Sequence, residues 1–143
     1  MPATEREFID TSIIVYAHDR WPEAAAERAR AQALIERLWA PGLGCLSVQV
    51  LQECFNTITR KLSTPLNADQ AYRLVQNYAA WTVHAPDPSD VLAVIRIHRE
   101  HGISFWDALS VRSAPVLGCT ILWTQDLNHG QVMEGVKVSN PFL

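Results

Sequence analysis

Phe8-Ile9-Asp10-Thr11-Ser12-Ile13-Ile14-Val15-Tyr16 is an apolar run that holds one carboxylate. An acid directly after two large apolar residues belongs at the carboxyl end of a buried strand. That edge is where open α/β sheets place their chemistry. Thr11 or Ser12 is then positioned to cap a short helix running through Tyr16 to about His18. Outward from this stretch, short apolar runs alternate with longer amphipathic ones. The alternation predicts an α/β fold, a mostly parallel central sheet flanked by helices on both faces.

The remaining elements follow from caps and periodicity. Trp21-Pro22-Glu23 opens a helix whose apolar stripe is Leu34, Ile35, Leu38 and Trp39, stopped by Pro41-Gly42. Leu43 to Leu46 reads as a strand. Ser47 caps a helix from Val48 to about Leu62, with Val50, Leu51, Cys54, Phe55 and Ile58 on its apolar face. Asn67-Ala68-Asp69 begins another helix, and Trp81 to His84 alternates like a strand. Asp87 to Asp90 forms a turn and cap, followed by a helix ending near Gly102. Ser104 caps the next helix, which Pro115 is expected to kink or shorten. Cys119 to Trp123 is a buried strand, Thr124 to Gly130 a polar loop, and Val136 to Val138 a last edge strand.

The 143 residues suffice for one domain, spanning 1–143, with a sizeable core. A hydrophobic share of 48% and a charged share of 19% are those of a globular protein. A formal charge of −3 and a pI near 5.9 argue against a surface dominated by phosphate-binding cations. Nucleic acid remains open as a substrate, because bound cations can supply positive charge locally. Cys45, Cys54 and Cys119 each sit among apolar residues and form no C-x-x-C, which suits buried thiols in a reducing compartment. Met1 to Glu7 lacks the basic start and apolar run of a leader. No apolar stretch approaches the ~20 residues of a membrane span. A cytoplasmic protein without membrane association is expected.

Four carboxylates stand where ordinary solvation explains them poorly: Asp10, Glu53, Asp107 and Asp126. Asp10 ends the first strand. Glu53 adjoins the apolar stripe of its helix, Asp107 lies in the first turn of another, and Asp126 is three residues past Ile121-Leu122-Trp123. Each has a plainer role available as a cap, a turn residue or a first-turn acid meeting the helix dipole. Together they change the balance. If the strands of Asp10 and Asp126 are neighbours, both acids emerge at one sheet edge, and the helices of Glu53 and Asp107 begin there. Four carboxylates could not all stay ionised at one edge without cations. Hard divalent ions with oxygen ligands, Mg²⁺ or Mn²⁺, would resolve the repulsion and suit phosphoryl chemistry.

Phe8-Ile9-Asp10-Thr11-Ser12, Ser47-Val48-Gln49-Val50-Leu51-Gln52-Glu53, Ser104-Phe105-Trp106-Asp107-Ala108-Leu109 and Leu122-Trp123-Thr124-Gln125-Asp126 occur in this order. In that order they resemble the four acid motifs of the PIN domain, a small metal-dependent ribonuclease fold. The tail, Asp126-Leu127-Asn128-His129-Gly130 through Val138-Ser139-Asn140-Pro141-Phe142, resembles the toxin members of bacterial VapBC toxin–antitoxin pairs. The resemblance implies a PIN-like three-layer α/β/α architecture and cleavage of single-stranded RNA. It assigns Asp10, Glu53, Asp107 and Asp126 as catalytic and metal-binding, with Thr11 or Ser12 orienting water or metal. It further implies a cognate antitoxin and a homodimer, for which the Trp21 to Trp39 helix is a candidate surface. Two departures stand out: Gln125 replaces an acid common in this branch, and Pro115 interrupts an alanine-like helix.

Other residues have ordinary explanations. His98 and His101 are i, i+3 on a helix without an evident third metal ligand. Trp106, beside Asp107, is expected in the core, with base stacking as the alternative. Arg60, Lys61 and Arg112 are available for phosphate contacts. Two competing functions are a non-catalytic protein- or RNA-binding module and a Mg²⁺-dependent phosphatase with Asp10 as nucleophile. Ser12 argues against the phosphatase, because it stands where a D-x-D pair needs its second acid.

Overall fold

The computed structural model describes residues 5–143. Residues 1–4, part of the stretch read above as carrying no leader, lie outside the described residues. Strand β1 (Arg6–Ile9) stops because Asp10 turns the chain into helix α1 (Thr11–His18). The cap is Asp10 itself rather than Thr11 or Ser12. Its backbone is extended (φ −89°, ψ 178°) and its carboxylate accepts the Ser12 N–H.

Pro22 sets a single 3-10 turn, Pro22–Ala24, so the second helix, α2 (Ala25–Trp39), opens later than Trp21. It buries Ala31, Leu34, Ile35 and Leu38. Trp39 stays largely exposed against Tyr78 and Trp81. Strand β2 (Gly44–Ser47) is buried throughout, and Trp81 lies so close to Gly44 that a Cβ there would meet its ring at 2.3 Å. Ser47 caps α3 (Val48–Arg60) by accepting the Val50 N–H at 3.2 Å. Asn67 and Gln70 form a capping box at the start of α4 (Ala68–Ala79). Strand β3 (Thr82–His84) follows. Asp87 and Asp90 form a second box for α5 (Pro88–His101), which ends on left-handed Gly102. Ser104 caps α6 (Phe105–Val116). Pro115 does not stop α6 early; it falls in the last turn, where its missing N–H costs one bond.

Strands β4 (Cys119–Trp123), β5 (Val132–Met133) and β6 (Val136–Ser139) complete a six-stranded sheet of order β3-β2-β1-β4-β6-β5. All neighbours are parallel except β5 and β6. The expected edge strand, Val136 to Val138, is therefore interior, and the edge is the two-residue β5. Glu134 and Gly135, both at positive φ, turn it back on β6. Two residues carry too little alternation to be read as a strand. The mostly parallel sheet lies between helices in a three-layer α/β/α arrangement, and its strands read as apolar runs because both faces are covered. Phe8, Ile9, Leu46, Ile58, Ile97 and Leu122 are fully buried. Cys45, Cys54 and Cys119 are free and buried. Among the described residues, no helix is long and apolar enough to cross a membrane.

Candidate active site

Because β1 and β4 are neighbours and parallel, with Ile9 opposite Trp123, their carboxyl ends emerge side by side. Asp10 follows one and the Thr124–Asp126 loop the other. Asp10 is 8% exposed, and its carboxylate is held entirely by hydroxyls and an amide. Oδ1 accepts the Ser12 N–H at 3.0 Å and the Ser12 hydroxyl at 2.5 Å, while Oδ2 accepts the Thr124 hydroxyl. Burial pushes the Asp10 carboxyl up to about 7 despite the Ser12 and Thr124 bonds, and the Asp126 charge raises it further.

The helix of Glu53 comes to the same edge. Its Oε1 accepts the Thr11 hydroxyl at 3.2 Å and the Gln49 amide at 3.0 Å. Partial burial raises the Glu53 carboxyl, the two hydrogen bonds oppose that, and the charges of Asp107 and Asp126 add to it. Asp107 sits in the first turn of α6, its N–H donating to Ser104 Oγ at 3.1 Å. Burial raises its carboxyl as well, the Ser104 hydroxyl opposes, and Asp126 reinforces. Asp126 therefore lies within electrostatic reach of the other three acids. The sheet brings all four predicted acids to one edge, with Thr11 on Glu53 and Ser12 on Asp10.

Thr124 is the residue the sequence reading missed. It is 1% exposed, and its hydroxyl donates to Asp10 and accepts the Asp126 N–H at 3.1 Å. One side chain thus ties two of the acids together. The available signal was a threonine directly after a buried strand and two residues before an acid, a turn-forming hydroxyl position. Gln125 is turned toward α1, where its amide donates to the Tyr16 hydroxyl at 3.1 Å. Trp106 is 59% exposed beside Asp107 rather than buried in the core, its ring edge-on to Phe105. Arg112 is not a free cation, since its Nε donates to Asp90 at 2.9 Å.

Among the described residues, no Lys, Arg or His comes within 4.0 Å of any of the four acids; the ion pairs lie elsewhere. The all-oxygen donor set, the mutual repulsion and the lack of a cation partner fit a hard divalent ion. No three of these acids bring oxygens within 4.8 Å of one another. The donor atoms that do meet that spacing, among the described residues, belong to Glu100, His101 and Glu134. Arg96 bridges Glu100 and Glu134 there, so that set is explained as an ion-pair cluster tying α5 to the β5–β6 turn. His98 is not its partner: its Nδ1 bonds the Ile103 carbonyl at 2.5 Å.

The sequence model of the PIN domain matches residues 8–134, a span that runs through all four acids. The chain belongs to the PIN domain family. No curated protein sequence matches it. Among solved structures it is similar to a toxin–antitoxin complex from Klebsiella pneumoniae, at 16% identity and a TM-score of 0.67, covering 94% of this chain and 97% of that one. It is also similar to VapC20 of Mycobacterium tuberculosis, described as a sarcin–ricin loop cleaving toxin, at 21% identity and a TM-score of 0.58, covering 81% and 86%. PAE2754 from Pyrobaculum aerophilum matches at 19% identity and a TM-score of 0.58, covering 94% and 83%. At such identities the likeness is one of fold.

Proposed function

We infer that this chain is a Mg²⁺- or Mn²⁺-dependent endoribonuclease acting on single-stranded RNA, the toxin of a type II toxin–antitoxin pair. The observation that carries this reading is the set of four carboxylates at one sheet edge without a cationic partner. Asp10, Glu53, Asp107 and Asp126 would hold the ion. When bound, a divalent cation supplies charge neutralisation at the scissile phosphate and acidifies the attacking water. Ser12 and Thr124 fix the Asp10 carboxylate from both sides, and Thr11 fixes Glu53, so these ligands are oriented before substrate arrives. Water enters at phosphorus and the P–O3′ bond breaks, leaving a 3′-hydroxyl on one fragment and a 5′-phosphate on the other.

The fold's likeness to toxin–antitoxin structures supports an antitoxin partner, whose cation would pair with the open acids. A homodimer through the Trp21 to Trp39 stretch is supported by the exposure of Trp21 and Trp39. A single domain over 1–143 and a cytoplasmic location complete the reading. The test is cleavage of single-stranded RNA with and without Mn²⁺, comparing wild type with Asp107→Asn. Metal-dependent cleavage lost in the variant, with 5′-phosphate products, is expected. Products ending in a 2′,3′-cyclic phosphate, or full activity in excess chelator, would overturn it.

A further inference from the structure

A cavity of about 590 Å³ lies between α2 and the C-terminal segment, beside the carboxyl ends of β4 and β6. Its α2 wall is Arg30, Ala33, Leu34 and Arg37, positions i, i+3, i+4 and i+7 of one helix face. Trp123 and His129 also line it. These two residues bracket the Thr124–Asn128 loop that carries Asp126, so the cavity and the acid edge share a loop.

The cavity presents donors. Arg30 has no acid partner among the described residues. Arg37 spends two N–H groups on Glu7, at 2.7 and 2.9 Å, leaving three of its five donors, and its side chain is 48% exposed. His129 accepts the Asn140 N–H at Nδ1, 3.0 Å, which leaves Nε2–H as the donor of the neutral ring. Among the described residues, no aspartate or glutamate side chain lines the cavity. In a protein of net charge −3, the Arg30 guanidinium and the spare donors of Arg37 and His129 make this a donor-rich wall beside an acidic edge. The indole of Trp123, fixed by its Nε1–H donating to Glu7 at 2.7 Å, adds aromatic surface. The volume is within the range of small-ligand sites.

We propose that this cavity is a binding subsite for a nucleotide of the RNA strand flanking the scissile bond, with Arg30 contacting its phosphate. The proposal rests on the ribonuclease reading above and adds where the strand is held. Beyond the ion that the four carboxylates would hold, a strand crossing them gains affinity from contacts away from them, and guanidinium groups suit phosphate geometry.

The test uses the full chain carrying Asp107→Asn, with a fluorescein-labelled random-sequence 12-nucleotide RNA pool and anisotropy as the readout. Adding Arg30→Glu is expected to raise Kd by about tenfold and to flatten the plot of log affinity against log salt by about 0.7, the loss of one single-strand phosphate contact. Arg30→Lys should restore most of the slope, and melting temperatures should match, since Arg30 is exposed on α2. If the parent binds the RNA and Arg30→Glu changes neither affinity nor slope, the subsite is overturned while the ribonuclease reading stands. Should Arg30→Glu instead weaken only the capture of a glutamate-rich peptide, the cavity belongs to a protein partner. A parent that binds no RNA overturns both.

Discussion

Two aspartates of almost equal burial behave in opposite ways. Asp10 is 8% exposed and Asp90 6% exposed. Asp90 sits in the first turn of α5, where its carboxylate accepts the Asp87 N–H at 2.9 Å and Arg112 Nε at 2.9 Å and faces His84 Nε2 at 3.2 Å. The Asp87 N–H first, then Arg112 and His84, hold its carboxyl below the usual range against the cost of burial. Asp10 has hydroxyls, one amide and another acid for company, and burial dominates. The difference separates an acid that completes the fold from one left incomplete by it. Buried charge is expected to be paired or to bind metal. Asp90 satisfies the first condition within the chain; Asp10 does not, and it either keeps its proton or takes up a metal ion.

The sharpest way to break this contrast is to neutralise each acid. Asp10→Asn should lower RNA cleavage more than a hundredfold, the scale seen when charge-stabilising groups are removed. Its melting temperature at pH 8 should not fall, because the amide has no charge to desolvate. Asp90→Ala should behave in reverse. It strands Arg112 and His84 against the start of α5, at a cost of about 2 kcal/mol. For a chain of this size that lowers the melting temperature by roughly 4–8 °C. Cleavage per folded molecule should persist. A thermal melt and a single-turnover assay on each variant decide the matter; equal stability losses in both would erase the distinction.

That contrast was only half legible in the sequence. Asp10, Glu53, Asp107 and Asp126 could be placed because each follows a strand or opens a helix, and parallel strands bring those ends to one edge. Asp90 read as a cap, which it is, through its reciprocal bonds with Asp87. Its other partners lie off the helix start: Arg112 is 22 residues on, and His84, six residues back, is itself held at 2.8 Å by Ser113, 29 residues from it. Periodicity reports a residue's face, not who meets it across the layer. The same limit hid Thr124 and left Arg112 available for phosphate contacts. Trp106 misled for another reason, since a large aromatic is ordinarily taken inward and its exposure beside Asp107 is a property of the site.

Acidity offers a second, smaller separation. An acid whose pKa is higher folded than unfolded binds its proton more tightly in the native state. For Asp10 the stabilisation is full below its ordinary value near 3.8 and is lost as pH rises to about 7. Asp90 runs the other way. Its contribution is present above 3.8 and is lost as pH falls below it. Between pH 5 and 8 the wild type should therefore lose stability with rising pH, and Asp10→Asn should lose less. Mn²⁺ at about a hundred times its Kd should restore up to ~2.7 kcal/mol at pH 8 in the wild type. The variant should gain less. Calorimetric melts across that range, with and without metal, would expose a flat wild-type profile if the acids are compensated by other means.

The smallest expected effect tests how far the incomplete edge extends. Gln125 spends its amide on the Tyr16 hydroxyl, and Tyr16 in turn packs tilted against Phe142 at 4.7 Å between centroids. In Gln125→Glu the contact need not be lost, because the phenol can donate to a carboxylate as readily as it accepts from an amide. What changes is charge: a fifth acid beside Asp126, again without a cation. At pH 8 the metal-free protein should lose about 0.5 kcal/mol through like-charge repulsion, an effect that salt screens. In Mn²⁺ the loss should vanish and the half-saturating metal concentration should fall severalfold, read from the same melts. A stability loss that persists in saturating Mn²⁺ would mean that position 125 serves only the Tyr16 contact. The unpaired edge would then end at Asp126.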